Sequence, residues 1–236
     1  MLDIVAWISL GIAFASAIVI AIDEIAHPQN MWVMNIVWPV TALYFSVFAV
    51  WGYFRVGRRM TRAAMAGAMG GMHREHHPEK PAAAGREPTF SQVAISASHC
   101  GAGCAIGDII AEFAVFALGL SILGVGLYAS YVVDFVLAWM FGIAFQYFAI
   151  KPTRHLTTGQ ALIAAIKSDT LTVTSFEIGM FSWMALAFFV FFSHSHMKPT
   201  EASYWFMMQI AMVCGFITSL PVNRWLLKTG IKEAMG

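Results

Sequence analysis

The stretch SHCGAGCAIGDIIAEF (Ser98–Phe113) decides how the fold of this chain is interpreted. It places one histidine, two cysteines and two carboxylates among small and apolar residues. In water, such a stretch would be an ordinary loop with a few polar side chains. Inside a membrane, an ionisable side chain costs about 2.5–3.5 kcal/mol on insertion scales and usually marks a functional pathway. Which of the two applies depends on the rest of the chain.

The composition of the chain indicates an integral membrane protein. Of its 236 residues, 59% are hydrophobic and 11% are charged, whereas average soluble domains have about 45–50% and about 25%. The mean hydropathy is +0.69. A soluble domain of this size could not bury so much apolar surface. The basic residues lack aromatic partners, so the sequence does not predict nucleic-acid binding, and three cysteines provide no disulfide framework.

Apolar runs along the chain predict six membrane spans. A helix needs about 20 apolar residues to cross the hydrocarbon core of a bilayer. The runs of this length are Ile4–Ile22, Met31–Phe54, a third that begins after Ser98 and ends near Tyr128, Tyr131–Ile150, Thr174–Phe192 and Ser203–Leu227. The sequence therefore predicts an all-α integral membrane protein, built as a six-span helical bundle in contact with the lipid bilayer.

The distribution of positive charge predicts the orientation of these spans. With six crossings, all but Lys198 of the 14 Lys and Arg residues fall on one side. Loops rich in Lys and Arg remain in the cytoplasm. We therefore expect a multi-pass membrane protein with both termini in the cytoplasm.

Two apolar segments are too long for a single crossing. Thr89–Tyr128 has 40 residues, about 60 Å as a continuous helix, and Leu156–Phe192 has 37. We interpret each as an amphipathic or re-entrant half-helix on the cytoplasmic side that leads into a span. The predicted break points are Gly101, Gly103 and Gly107 in the first segment and Lys167, Ser168 and Asp169 in the second.

The predicted spans divide the chain into three parts. Residues 1–54 form an N-terminal two-span hairpin, and residues 89–236 form a four-span core domain. Between them, residues 55–88 are predicted to be a flexible cytoplasmic linker rich in Met and His, because the Gly, Pro and charge content of GAMGGMHREHHPEKPAAAGREP (Gly67–Pro88) is typical of a loop.

Read as a helix, the opening stretch presents two adjacent stripes. Residues four apart lie on one helix face, and the polar stripe consists of Cys100, Cys104, Asp108 and Glu112. The other stripe, Gly103, Gly107 and Ala111, has the small-xxx-small pattern that lets helices approach closely. His99 precedes the polar stripe, and Glu177 lies at a similar depth in the fifth span. The candidate metal ligands are therefore His99, Cys100, Cys104, Asp108, Glu112 and Glu177.

Two less specific interpretations of the stripe stay open. Free cysteines often pack as small buried hydrophobes. Asp108 and Glu112 could instead be solvated by the nearby cytoplasmic interface.

The loops contain further metal-ligand types. The predicted cytoplasmic linker has Met60, Met65, Met69, Met72, His73, His76 and His77, and the predicted outer loops have Asp23, Glu24, His27, His194, His196 and Met197. Thioether and imidazole groups suit copper(I), and imidazole also suits zinc and iron. Each cluster alone could be a solvated loop or an interfacial helix. Together with the stripe, the pattern predicts a path for a transition-metal ion.

Long strings of this chain resemble an uncharacterised bacterial multi-span membrane family, domain of unknown function 4396. The strings are MWVMNIVWPVTALY, SHCGAGCAIGDIIAEF, VVDFVLAWMFGIAFQYFAIKPTR, AAIKSDTLTVTSFEIGMF and YWFMMQIAMVCGFITSLPVNRWLLKTGIKEAM. The resemblance spans almost all of the chain outside Gly67–Pro88. It implies a multi-span inner-membrane protein, and it assigns no activity or catalytic residue.

From these patterns we expect a protein that binds a transition-metal ion, copper first and otherwise zinc or iron, and moves it across or within the membrane. The alternative is a non-catalytic accessory or assembly subunit of a membrane metalloenzyme or respiratory complex, with a membrane-protein partner or a second copy of itself. No GxxxxGK[ST] loop is present, so the sequence does not predict built-in ATP hydrolysis. A membrane oxidoreductase that uses Cys100 and Cys104 as a redox pair is a less expected third possibility, because cysteines within reach of the cytoplasm usually stay reduced. C-x₃-C is also not the usual redox spacing.

Overall fold

The computed structural model describes residues 1–66, 87–154, 157–192 and 197–232. The helices are α1 Leu2–Ala26, α2 Met34–Phe45, α3 Val47–Arg55, a 3₁₀ turn Gly57–Met60, α4 Phe90–Leu118, α5 Gly126–Arg154, α6 Thr158–Leu186 with a π-helical turn Ala187–Phe191, and α7 Ala202–Lys228. Five of them (α1, α4, α5, α6 with its π turn, and α7) are long and apolar enough to cross a membrane. The predicted all-α class and the membrane-spanning character are therefore supported.

Large apolar side chains cover the outside of the bundle. Trp7 is 69% exposed, Phe48 is 74% exposed and Phe116 is 45% exposed. Such a surface would aggregate in water, whereas hydrocarbon solvates it. The exposed faces of these helices are thus compatible with contact to the lipid bilayer.

Helices α4 to α7 form an antiparallel core with two chemically different ends. Glu87, just before α4, pairs with Arg224 and Lys228 in the last turns of α7, at 3.0 and 2.5 Å. Lys228 and then Arg224 lower the pKa of Glu87 by their hydrogen bonds and charge. We call this the basic end. The opposite end carries the connections Gly119–Val125 and 197–201.

The predicted half-helices are not confirmed in the described residues of these two segments. Helix α4 runs unbroken through Gly103 and Gly107, and α6 runs unbroken through Asp169. The excess length of Thr89–Tyr128 has another cause, because α4 ends at Leu118 and α5 already begins at Gly126. Gly119 and Gly124, at φ 62° and 77°, form the turn between them, which left-handed glycines favour.

The predicted second span, Met31–Phe54, is also wrong as a straight helix. It breaks at Ser46 into α2 and α3, which fold back on each other so that the rings of Trp38 and Tyr53 meet at 5.6 Å. After α3, Arg58 donates to both carboxylate oxygens of Asp23 at the end of α1, at 2.7 and 2.5 Å. Both ends of this helical hairpin therefore lie at the basic end.

The tip of the hairpin is anchored in the middle of the bundle by Gln209 of α7. Its Nε2 donates to the carbonyl oxygen of Leu43 at 2.7 Å, and its Oε1 accepts from Ser9 of α1 at 2.8 Å. The last carbonyls of a helix lack partners within the helix, and hydrocarbon offers none. Gln209 thus supplies a hydrogen-bond donor to the carbonyl end of α2 inside the bundle.

The same side chain fixes the direction of α1. Ser9, near the start of α1, contacts Gln209, near the start of α7. The two helices therefore begin at the same end, so Leu2 and Lys228 lie at opposite ends of the bundle.

The break at Ser46 is conformationally strained. Its φ of 50° and ψ of −125° are accessible to glycine and cost other residues about 1–3 kcal/mol. We expect Ser46→Gly to raise the free energy of unfolding by about 1 kcal/mol, measured as thermal unfolding of the detergent-purified protein. Ser46→Ala keeps the Cβ atom and should give no gain. A lower melting temperature for Ser46→Gly would contradict the strained break.

Candidate functional site

A line of buried polar side chains runs along the interior of the four-helix core. We call it the polar seam, and it consists of His99, Cys100, Cys104, Asp108 and Glu112 on α4, Ser130 and Asp134 on α5, Asp169 and Glu177 on α6, and Tyr204 and Asn223 on α7, with Lys232 just after α7. All of them are buried, and the side chains of Asp108, Asp169 and Asn223 have no exposed surface at all. The six candidate ligands predicted from the sequence all belong to the seam.

Glycines bring the helices close enough to enclose the seam. A Cβ atom on Gly107 would lie 2.5 Å from the backbone nitrogen of Ala138 on α5, and one on Gly103 would lie 2.9 Å from that of Gly142. The small-residue stripe of α4 therefore packs directly against α5. Gly142 has a second role, since a Cβ there would lie 2.5 Å from the Oδ2 atom of Asp169. Its missing side chain leaves room for that carboxylate.

The end of the seam farthest from the basic end adjoins a cleft. Ser130 Oγ donates to Glu112 Oε2 at 3.0 Å, and Asp134 and Tyr204 lie close enough to interact with the same carboxylate. The cleft has a volume of ≈ 650 Å³ and is lined by Glu112, Ser130 and Tyr204 together with Lys198. A solute at this end could therefore reach the first carboxylate of the seam.

The middle of the seam holds two carboxylates without hydrogen-bond partners. Among the described residues, neither oxygen of Asp108 and neither oxygen of Glu177 has one. Cys104 lies beside both, within interaction distance of each. A buried carboxylate without a partner is costly unless it carries a proton or faces a cation or water. This group has the strongest chemical requirement for a ligand in the seam.

The basic end of the seam is a compact, hydrogen-bonded group. Cys100 Sγ hydrogen-bonds to Asp169 Oδ1. The ammonium of Lys232 donates to Cys100 Sγ at 2.9 Å and to Asn223 Oδ1 at 3.0 Å. It also lies 3.6 Å from Asp169 Oδ1, with both side chains fully buried. Ser96 Oγ donates to the same Asn223 oxygen at 3.0 Å.

The structure separates the predicted ligands into groups. Cys104, Asp108 and Glu177 meet in the middle of the seam, Glu112 lies toward the cleft, and Cys100 lies at the basic end. His99 packs against Phe145 instead, with 6.0 Å between ring centroids, and neither of its nitrogens has a hydrogen-bond partner in the described part of the chain. Within residues 1–66, 87–154, 157–192 and 197–232, no group of three or more His, Cys, Asp or Glu residues is arranged to hold a metal ion.

The loop clusters have mixed outcomes. The linker ligands Met69, Met72, His73, His76 and His77, and also His194 and His196, lie outside the described residues. Asp23 and His27 were predicted on the outer side, but they lie at the basic end. There Arg58 donates a hydrogen bond to the Asp23 carboxylate, and its guanidinium lies 3.0 Å from His27 Nδ1.

Six residues of the seam escaped sequence-based selection, namely Ser130, Asp134, Asp169, Tyr204, Asn223 and Lys232. Asp134 and Tyr204 contact Glu112 from other helices, and Asp169 was noted only as a break point. Lys232 was counted only as a cytoplasmic charge. A signal for Lys232 exists in Gly230, a glycine just past the last apolar turn, which is typical of a helix end that turns back.

These features define a helical membrane protein whose core encloses a line of buried ionisable groups. The chain belongs to the family described as Domain of unknown function (DUF4396), whose family model matches residues 89–232. The match covers α4 to α7 and Lys232, so the whole seam lies within it. No curated protein and no solved structure matches the chain.

Proposed function

We propose that this protein moves a divalent transition-metal cation along the polar seam and that the seam carboxylates exchange protons for it. The observation that supports this proposal most is the unpartnered pair Asp108 and Glu177 in the middle of the core. Ionisable groups inside a membrane protein usually mark ion or proton pathways. The two carboxylates can be neutral with protons, or ionised with a cation between them.

The charge balance of the seam supports the same proposal. It contains five carboxylates, namely Asp108, Glu112, Asp134, Asp169 and Glu177, and one ammonium, that of Lys232. Several uncompensated negative charges cannot coexist in a medium of low dielectric constant. An arriving cation would therefore displace protons from the carboxylates it meets, which links cation movement to proton movement in the opposite direction.

The length of the seam also fits a pathway. Between His99 and Glu112, α4 rises about 20 Å, which is about two thirds of the hydrocarbon thickness of about 30 Å. At one end Glu112 lines the open cleft, and at the other Lys232 closes the basic end. A cation would pass Glu112 first, then the pair Asp108 and Glu177, then Cys100.

The donor set of the seam suits zinc or iron(II). Carboxylate oxygens dominate, with the thiols of Cys100 and Cys104, and zinc accepts both ligand types. Copper, predicted first from the sequence, stays a second candidate cargo. It is favoured by Met180, Met184 and Met208, which are buried in the same apolar cluster as Cys104, because thioether and thiolate ligands select copper(I).

We further infer a topology of five crossings and one re-entrant hairpin. The hairpin α2–α3 enters and leaves at the basic end, so only α1, α4, α5, α6 and α7 would cross. Among the Lys and Arg residues that the structure describes, Lys198 alone falls at the opposite end in this topology. The basic end would then face the cytoplasm of a bacterial inner membrane. The chain would begin outside, in place of the expected cytoplasmic start.

A tag-accessibility experiment tests this topology. A peptide tag before Met1 should be cleaved by protease added outside intact spheroplasts, whereas a tag after Gly236 should be protected. Permeabilised cells, in which both tags should be cleaved, provide the control. Protection of both tags in intact spheroplasts would instead restore an even number of crossings.

Reconstitution into liposomes tests the transport proposal. Zinc, iron(II) and copper(I) would be added outside in turn, with a metal-sensitive dye and a pH-sensitive dye inside. We expect metal uptake with release of protons from the lumen, and a smaller signal for copper(I) than for zinc or iron(II). A proton flux that is independent of metal would overturn the metal part of the proposal. No flux, together with a fixed partner on mild-detergent purification, would favour the accessory-subunit alternative.

A further inference from the structure

The residues that follow α7 turn back into the bundle. Gly230 has a φ of 71°, a left-handed conformation that ends a helix at little cost only for glycine. Its N–H donates to the Leu227 carbonyl at 3.2 Å, and the N–H of Lys232 donates to the Leu226 carbonyl at 3.1 Å. These bonds satisfy the last carbonyls of α7. The turn directs the Lys232 side chain toward the interior of the seam rather than toward water.

The place that Lys232 takes is built for a cation. A thiol sulfur, an amide oxygen and a carboxylate oxygen surround its ammonium at 2.9, 3.0 and 3.6 Å. The side chain of Lys232 has no exposed surface, so these atoms take the place of water around its ammonium.

A lysine is rarely buried completely. A purely structural closure of the bundle would be achieved more simply by an apolar side chain, since replacing buried ion pairs with well-packed apolar residues is often neutral or stabilising. A buried, charged Lys232 on a short turn is therefore better explained by a function of its charge than by packing.

We infer that Cys100, Asp169 and Asn223 form the basic-end binding site for the transported cation, and that Lys232 is a tethered ammonium that occupies this site until the cargo replaces it. The inference rests on the proposed function and deepens it by naming a site and its regulation. One donor set cannot hold an ammonium and a metal ion together, because the two charges repel and use the same lone pairs. Cargo binding therefore requires Lys232 to leave, which opens the basic end of the seam.

Two variants remove the ammonium from the site by different means. Lys232→Gln removes the charge and keeps most of the side-chain length. Gly230→Val leaves every seam residue intact but disfavours the turn, because a β-branched residue is strained at positive φ. Lys232→Arg keeps a cation in place. Lys228→Gln is the matched control, because Lys228 is exposed and pairs with Glu87 outside the seam.

Thiol labelling of the purified full-length protein measures the opening without any transport assay. A small charged thiol reagent would be applied, and the labelled peptides mapped by mass spectrometry, with the half-buried Cys214 as the internal reference. We expect Cys100 to react about tenfold faster in Lys232→Gln and in Gly230→Val, because the site opens locally. Zinc should protect it again. Wild type, Lys232→Arg and Lys228→Gln should stay protected.

The outcomes separate this inference from the proposed function. Faster labelling with zinc protection, in a protein that moves no cation in liposomes, would support the site and refute transport. Cation transport by a wild-type protein whose Cys100 stays equally protected in both opening variants would overturn the inference and leave transport standing. Fast labelling of Lys232→Arg would also overturn it, since the tethered cation would then not be what closes the site.

Discussion

Replacing Gly107 with alanine should destabilise the bundle by about 3 kcal/mol, the upper part of the usual range for overpacking. The new Cβ atom would lie 2.5 Å from the backbone nitrogen of Ala138 and 2.7 Å from its Cα atom. These are main-chain atoms of α5, so no rotamer change can relieve the clash. The better helix propensity of alanine, about 1 kcal/mol, does not offset it. Thermal unfolding and size-exclusion profiles in detergent would measure the loss.

Gly11 provides the matched control for this prediction. It also lies within a membrane-spanning helix, but a Cβ atom there would meet nothing within 4 Å. Gly11→Ala should therefore leave the melting temperature unchanged or slightly raise it. If Gly107→Ala were as stable as Gly11→Ala, the direct packing of α4 against α5 would be refuted, and with it the enclosure of the seam.

Neutralising the middle of the seam should have the largest effect on activity. Asp108→Asn and Glu177→Gln keep the shape of each side chain but cannot bind a proton reversibly or balance a cation. We expect each to reduce cation flux in liposomes by about 100-fold or more, as for the loss of a positioned proton carrier. Each should also keep or raise the melting temperature, because an unpartnered buried ionisable group is removed. Falling flux with unchanged or rising stability is the signature of a functional group.

Glu24→Gln is the corresponding control for the carboxylate change. Glu24 is a buried acid as well, 4% exposed, but it lies on α1 near Gln29 and away from the seam. It should transport at the wild-type rate. A large loss of stability in Asp108→Asn and Glu177→Gln, with transport intact in the protein that still folds, would assign these carboxylates to packing.

Hydropathy predicted most of the helices because it measures the property that places them in lipid. It could not distinguish a span from a hairpin in Met31–Phe54, since both are continuous apolar runs of the same length. The difference lies at Ser46, where the helix breaks. The carbonyl oxygen of Leu43, just before the break, accepts a hydrogen bond from Gln209, a side chain 166 positions away. The glycines of α4 were misjudged as breaks because glycine serves both close helix packing and chain reversal.

Part of the candidate site could be predicted from the sequence, namely the part that lies on one helix. Residues four apart on one helix share a face by geometry alone, so the stripe from Cys100 to Glu112 could be drawn without a structure. The groups that it meets, such as Asp169 and Lys232, come from other helices. Their positions depend on how the helices pack, and no local spacing encodes that.

The side chain of Gln209 has a consequence for how the molecule is divided. It belongs to the family core, yet it is hydrogen-bonded to both α1 and the tip of the hairpin. One apolar cluster likewise joins Ile20 and Val37 to Ile95 and Ala102 of α4. Cutting the chain at the start of the family match would strand a polar amide in hydrocarbon and expose a groove in the core. The N-terminal boundary of the family match, at residue 89, is therefore not a boundary at which the chain divides into independently folding parts.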